Sequence, residues 1–96
     1  MGQPLKADAD AAASRSHWRG TDAGIFEYHV APGLVGGYVY WIRPTRTWAA
    51  ELTNIPPANA GERPGVLSVS DLPTPLAAQE WVEFAWHRVT ANAKNN

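Results

Sequence analysis

The sequence predicts a small α+β domain in which an antiparallel sheet of three to four strands, connected as a meander, packs against one C-terminal helix. Two patterns indicate this fold class. Between residues 24 and 53, short alternating apolar runs are separated by turns rich in proline and glycine. Further along, Thr74 and Pro75 form a helix start, and apolar residues recur behind them at one-turn spacing. For 96 residues, one helix over one sheet is the usual two-layer arrangement.

Composition divides the chain into three parts. Residues 1–16 are rich in alanine and have no large apolar side chain between Leu5 and Trp18, so we expect a flexible segment or a short helix there. Residues 17–92 carry the apolar patterns and should form a single domain. Residues 93–96 should form a disordered tail.

Alternation of apolar residues marks the strands. Phe26, Tyr28 and Val30 are expected to share one face of the first strand. The glycine-rich stretch 31–37 is typical of a connector between strands, and the proline-rich stretch 55–65 of a loop. The predicted strands span residues 24–30, 38–43, 47–53 and, with weaker alternation, 66–70.

The second strand is apolar on both faces, so its orientation stays open. If Trp41 faces the helix, Tyr38 and Tyr40 lie on the opposite face beside Glu27 or His29. With the other parity, Trp41 and Arg43 are exposed instead. A shift of one residue exchanges the two sets.

The helix is predicted over residues 75–91. Its apolar face comprises Ala78, Val82, Ala85, Trp86 and Val89, with Trp81 at the margin. Phe84 projects from the other side, near Glu80 and His87. Three explanations are open: the proline-rich loop or the N-terminal segment covers Phe84, Phe84 and Trp81 anchor a partner, or the ring is simply exposed.

Residues for catalysis or metal binding are sparse. Cysteine is absent, and the three histidines are far apart in sequence, so we expect no metal site, no cofactor and no enzyme. Glu83 and His87, one helical turn apart, are typical of a surface ion pair. Glu27 and His29 share a strand face. A catalytic function would require a pocket that converges on one of these two pairs.

Charge and hydropathy indicate a cytoplasmic protein. The formal net charge is −1, which excludes a highly basic nucleic-acid coat. No apolar run approaches the length needed to span a bilayer, and the N-terminus lacks the apolar region of a signal peptide.

Taken together, these features predict a small non-enzymatic protein-interaction module, such as an accessory, inhibitor or regulatory protein of a bacterium or phage. Its partner is another protein or a second copy of the chain, since its aromatic residues exceed what one helix over one sheet buries. The residues expected to make the contact are Trp81, Phe84 and His87 on the helix, and Tyr38, Tyr40 and Arg43 on the sheet.

Single-stranded nucleic-acid binding is the alternative. Four arginines lie between residues 14 and 48 against two carboxylates, and stacking on aromatic rings beside arginine is how such proteins bind. The residues for this function are Arg19, Tyr38, Tyr40, Arg43 and Arg46.

The order of three strands and a helix, with a short N-terminal helix as an option, resembles the double-stranded-RNA-binding domain in outline. That resemblance implies a three-stranded sheet and contacts from the last helix to RNA phosphates. The chain departs from the family at the start of this helix, where the run from Thr74 to Glu80 contains an acid and no lysine cluster. No site is carried over from it.

Overall fold

The computed structural model describes residues 15–56, 61–63 and 65–94, and within them five strands precede one helix. The α+β class is confirmed, with five strands instead of three to four. The elements are β1 (Trp18–Gly20), β2 (Phe26–Ala31), β3 (Leu34–Ile42), β4 (Thr47–Ile55), β5 (Gly65–Leu72) and α1 (Pro75–Lys94). The strands follow the order β1-β2-β3-β4-β5, and every neighbouring pair is antiparallel. This meander has two strands more than the resemblance to double-stranded-RNA-binding domains implies.

The strands differ from the predicted ones at their ends. β1 was missed because it has only three residues, two of which are exposed. β3 begins inside the predicted connector, whose turn shrinks to Pro32 and Gly33, the latter at a φ of 75° that glycine adopts readily. The fourth predicted strand is β5, which extends over eight residues.

The predicted start of the helix is confirmed. The backbone N–H of Ala77 donates to the Thr74 hydroxyl at 3.0 Å, which is the N-cap bond that the Thr-Pro pair predicts. The helix runs to Lys94 instead of ending near Ala91, so it includes two residues that the sequence assigned to the tail. The rest of the tail and the N-terminal segment up to residue 14 lie outside the described residues.

Strand register decides which side of the sheet is buried. Phe26, Val39 and Ala50 are paired across β2, β3 and β4, and all three are buried beneath α1. Trp41 is paired with Trp48 on the same side, with their ring centroids 5.5 Å apart. The helix-facing position of Trp41 places Tyr38 and Tyr40 on the opposite side, which we call the open face of the sheet.

Two glycines allow α1 to approach the centre of the sheet. A Cβ atom at Gly37 would lie 2.7 Å from the Cγ1 of Val82 and 2.8 Å from the Glu51 carbonyl oxygen. At Gly36 it would lie 3.2 Å from the indole of Trp86. The glycines in β3 therefore let α1 pack closely on the strand, in addition to their role near a turn.

Candidate functional site

The solvent side of α1 carries a row of exposed residues around Phe84. Phe84 is 64% exposed, more than any other aromatic side chain in the described part of the chain. None of the described residues covers the ring. The expectation that the N-terminal segment or the proline-rich loop hides Phe84 falls largely on residues 1–14 and 57–60, which lie outside the described part of the chain. We call the row the outer stripe; it comprises Ala77, Glu80, Phe84, His87, Arg88 and Ala91.

Arginine lies against the exposed ring. The guanidinium carbon of Arg88 is 5.8 Å from the centroid of Phe84, one helical turn away, which is the range of a cation–π contact. Glu80 is one turn before Phe84 on the same face. The stripe thus presents a carboxylate, a ring and a guanidinium in succession along the helix.

Glu83, next to this stripe, attaches the start of the described chain to α1. Its Oε1 accepts a hydrogen bond from Arg15 at 2.6 Å, and its Oε2 accepts one from the Trp18 indole at 2.8 Å. Residues 15–18 reach it through a tight turn, closed by the bond from the Trp18 N–H to the Arg15 carbonyl, with His17 at a φ of 71°. Arg15, which lies in the segment expected to be flexible or a short helix, contacts the helix through this bond.

This attachment replaces the predicted Glu83–His87 ion pair. Among residues 15–56, 61–63 and 65–94, no ion pair joins Glu83 to His87, since the carboxylate points toward Arg15 and Trp18. The two side chains nevertheless line a common cleft of about 540 Å³ between α1 and residues 15–17. The other lining residues are Arg15, Ser16, His17, Tyr28, Glu80 and Phe84.

The cleft has polar groups but little that points to catalysis or metal binding. Burial, and secondarily the charge of Glu83, raises the pKa of the Tyr28 hydroxyl above its usual value, while Arg15 acts in the opposite direction. The shift lies in the direction that keeps the hydroxyl protonated, as an unperturbed tyrosine already is at neutral pH. Within the described part of the chain, no three histidine or carboxylate side chains are grouped to hold a metal ion.

Trp81 behaves differently from Phe84. It is partly buried and packs against the core cluster, together with Trp86 and Val89. The sequence grouped Trp81 with Phe84 as an exposed anchor, whereas the structure uses it mainly to cover the core.

The open face of the sheet carries the other predicted residues. Tyr38 is half-buried and pairs with Glu27 on β2 and Glu51 on β4. Tyr40 is half-buried beside Ala49. The Glu27 carboxylate is 3.2 Å from the His29 imidazole, both about one-quarter exposed.

The arginines predicted for nucleic-acid binding are spread around this open face. Arg19 lies across from Glu27 in β1, and Arg43 and Arg46 are exposed in the turn between β3 and β4. The two predicted groups of contact residues, on α1 and on the sheet, therefore lie on opposite sides of the molecule and form no single surface.

Two features of the molecular surface were not predicted from the sequence. The Arg15–Glu83 contact joins residues 68 positions apart and has no local signal. The exposed apolar residues of β5 were also missed, although its weak alternation was a signal that one side of the strand is not covered.

No protein family, curated protein or solved structure matches the chain. Within the described residues, α1 is not long and apolar enough to cross a membrane.

Proposed function

We propose that this chain is a non-enzymatic protein-interaction module that pairs with a second copy of itself through the outer stripe of α1. The observation that carries the proposal is the exposure of Phe84, at 64%, in the middle of a largely self-complementary stripe. Aromatic side chains that are buried on association dominate interface energies.

Five of the six stripe residues are self-complementary in one arrangement, whereas His87 would lie opposite Trp81. If two α1 helices pack antiparallel with Phe84 on the two-fold axis, residue numbers in contact add up to the same value, as in any isologous interface. Phe84 then meets Phe84 of the other copy. Glu80 meets Arg88, and Ala77 meets Ala91.

Charge complementarity favours a second copy over an unrelated partner. Glu80 and Arg88 are eight residues apart, about 12 Å along the helix, so they are too distant to pair within one chain. In the antiparallel pair each meets one opposite charge on the other copy, so the Glu80–Arg88 contact forms twice. The small alanines at both ends allow the helices to approach closely.

The contributions of these contacts differ. Burying a Phe84 ring should contribute about 1.5–3 kcal/mol. An exposed ion pair contributes about 1 kcal/mol or less. Phe84 therefore supplies the affinity, and Glu80 with Arg88 determines the register and excludes other arrangements.

The cleft beside the stripe supports a role without catalysis. It converges on Glu83 and His87, the feature that a catalytic function would require, but both carboxylate oxygens of Glu83 already accept hydrogen bonds from Arg15 and Trp18. Glu83 acts as a structural clamp, and the cleft forms part of the rim around Phe84.

Substitution of Phe84 tests the proposal. We expect Phe84→Asp to lower the molecular mass in sedimentation experiments at micromolar concentration, because two carboxylates would meet on the axis and the contact through α1 would be lost. Leu34→Asp is the matched control: Leu34 is also exposed, at 39%, and lies at the start of β3. An unchanged mass for Phe84→Asp, with a circular dichroism spectrum like that of the natural chain, would contradict the proposal.

The open face supports a second candidate function, single-stranded nucleic-acid binding. Tyr38 and Tyr40 lie on that face, and Arg19, Arg43 and Arg46 lie around it. Stacking on tyrosine beside arginine is a known mode of binding. Against this, Glu27 and Glu51 flank Tyr38 on both sides and would repel a phosphate backbone.

A further inference from the structure

The outer edge of β5 offers a second, independent contact surface. β5 is the last strand in the order and pairs with β4 on one side; no described residue pairs with its other side. Val66 is 65% exposed and Leu67 46%. An edge strand presents unpaired backbone N–H and C=O groups that add readily to another strand.

β5 is neither short nor interrupted by charge or proline over residues 65–70, although its pairing with β4 is irregular at both ends. Natural edge strands are short, or carry charges or proline. β1, at the opposite edge, has three residues and includes Arg19. By contrast, residues 65–70 contain neither a charge nor a proline, and the nearest charge, Asp71, lies beyond them at a φ of 63° where the pairing with β4 is irregular.

The sequence of β5 fits a second copy of itself. Leu67 is paired with Leu52 and Val69 with Ala50, so both lie on the side of the sheet that faces α1. Ser68 is paired with Glu51 on the open face. Residues 67–70 therefore alternate, with apolar Leu67 and Val69 on the helix side and Ser68 and Ser70 on the open face, whereas Val66 adds an apolar side chain to the open face.

We propose that β5 pairs antiparallel with β5 of a second copy, with Ser68 on the two-fold axis, to form a continuous ten-stranded sheet. Leu67 then lies opposite Val69 of the other copy, and Val66 lies opposite Ser70. Asp71 falls opposite Gly65, so no like charges are placed across from each other. This register pairs the residues 67–69, over which the pairing with β4 is regular, with each other, whereas moving the axis to Leu67 or Val69 pairs some of them with residues outside that stretch.

Disulfide trapping tests the register. The chain has no cysteine, so a single introduced cysteine gives an unambiguous product. We expect Ser68→Cys to form a covalent dimer on mild oxidation, because the two Cβ atoms face each other across the axis. Ser70→Cys is the matched control, since its two copies would be separated by four residues, about 13 Å. A mixture of Val66→Cys and Ser70→Cys should cross-link. No dimer with Ser68→Cys, or equal dimer with Ser70→Cys alone, would overturn the proposal.

Mass measurements on a Phe84→Asp background separate this proposal from pairing through α1. Phe84→Asp alone should retain the mass of two chains through β5. Adding Leu67→Lys should reduce it to one chain, while adding Thr45→Lys, at an exposed turn position, should leave two. A single-chain mass for Phe84→Asp alone would overturn the β5 contact and leave the α1 proposal intact. This mass is also the result expected if another segment of the chain occupied the outer edge of β5.

Discussion

The outer stripe of α1 and the open face of the sheet both place aromatic rings near arginine, yet they differ as surfaces. Phe84 is largely exposed because it projects from the side of α1 that faces away from the sheet, although Arg88 lies against its ring. Tyr38 and Tyr40 are half-buried, because side chains on adjacent strands stand only about 5 Å apart and cover them. The same residue types therefore leave a protruding anchor on a helix and a flat, covered surface on a sheet.

The two surfaces also differ in their charges. On α1 one acid and one base lie symmetrically about Phe84, which favours a copy of the same helix. On the sheet two acids lie directly beside Tyr38, and the arginines lie farther out. Counting aromatic and basic residues in the sequence does not separate these cases, whereas the order of charges around each ring does.

The largest effect on stability should come from disturbing the packing of α1 on β3, which lies between the outer stripe and the open face. Gly37→Ala places a Cβ atom against Val82 and the Glu51 carbonyl, and since backbone cannot move aside easily, we expect a loss of about 3 kcal/mol in unfolding free energy. Urea denaturation measures it. Gly65→Ala is the control, because its Cβ would meet Ile55 at an ordinary 3.5 Å. Equal stability of Gly37→Ala and the natural chain would show that α1 does not pack there.

A smaller effect is expected at the clamp beside Phe84. Glu83→Gln weakens the bonds to Arg15 and Trp18, and since the carboxylate is about one-quarter exposed we expect a loss of about 2 kcal/mol at most. Asp22→Asn, at an exposed turn, should change stability by less than about 0.5 kcal/mol. If the two variants were equally stable, the clamp would contribute nothing to the order of residues 15–18.

The smallest effect is expected for nucleic-acid binding at the open face of the sheet. Because Glu27 and Glu51 flank Tyr38, we expect single-stranded DNA or RNA to leave the fluorescence of the five tryptophans unchanged at low salt. Glu27→Gln combined with Glu51→Gln is the informative variant, since it removes the repulsion. A salt-sensitive change with the natural chain would instead favour the nucleic-acid function.

The sequence was sufficient to predict the parts of the fold that depend on local patterns. The helix start at Thr74, the buried face of α1 and the projection of Phe84 follow from spacing along one element. The sequence did not predict which side of β3 faces the helix, because residues 38–42 are apolar on both sides and a one-residue shift exchanges the two sets.

Features that depend on contacts between residues far apart in sequence could not be predicted from local patterns. Nothing near Arg15 indicates that it reaches Glu83, and β1 is too short to show a period. Spacing along a helix shows that Phe84 projects from it, whereas whether the ring is covered depends on tertiary packing. Once Phe84 is known to be exposed, the symmetric placement of Glu80 and Arg88 on either side of it is evident from the sequence.

The most direct test of pairing through α1 is the mass of three charge variants. Glu80→Arg and Arg88→Glu each place like charges opposite one another in the antiparallel pair, so each should weaken association and lower the mass measured by sedimentation velocity. The double variant Glu80→Arg/Arg88→Glu restores opposite charges and should recover the mass of the natural chain. The same mass for all four proteins, or no recovery in the double variant, would contradict the account.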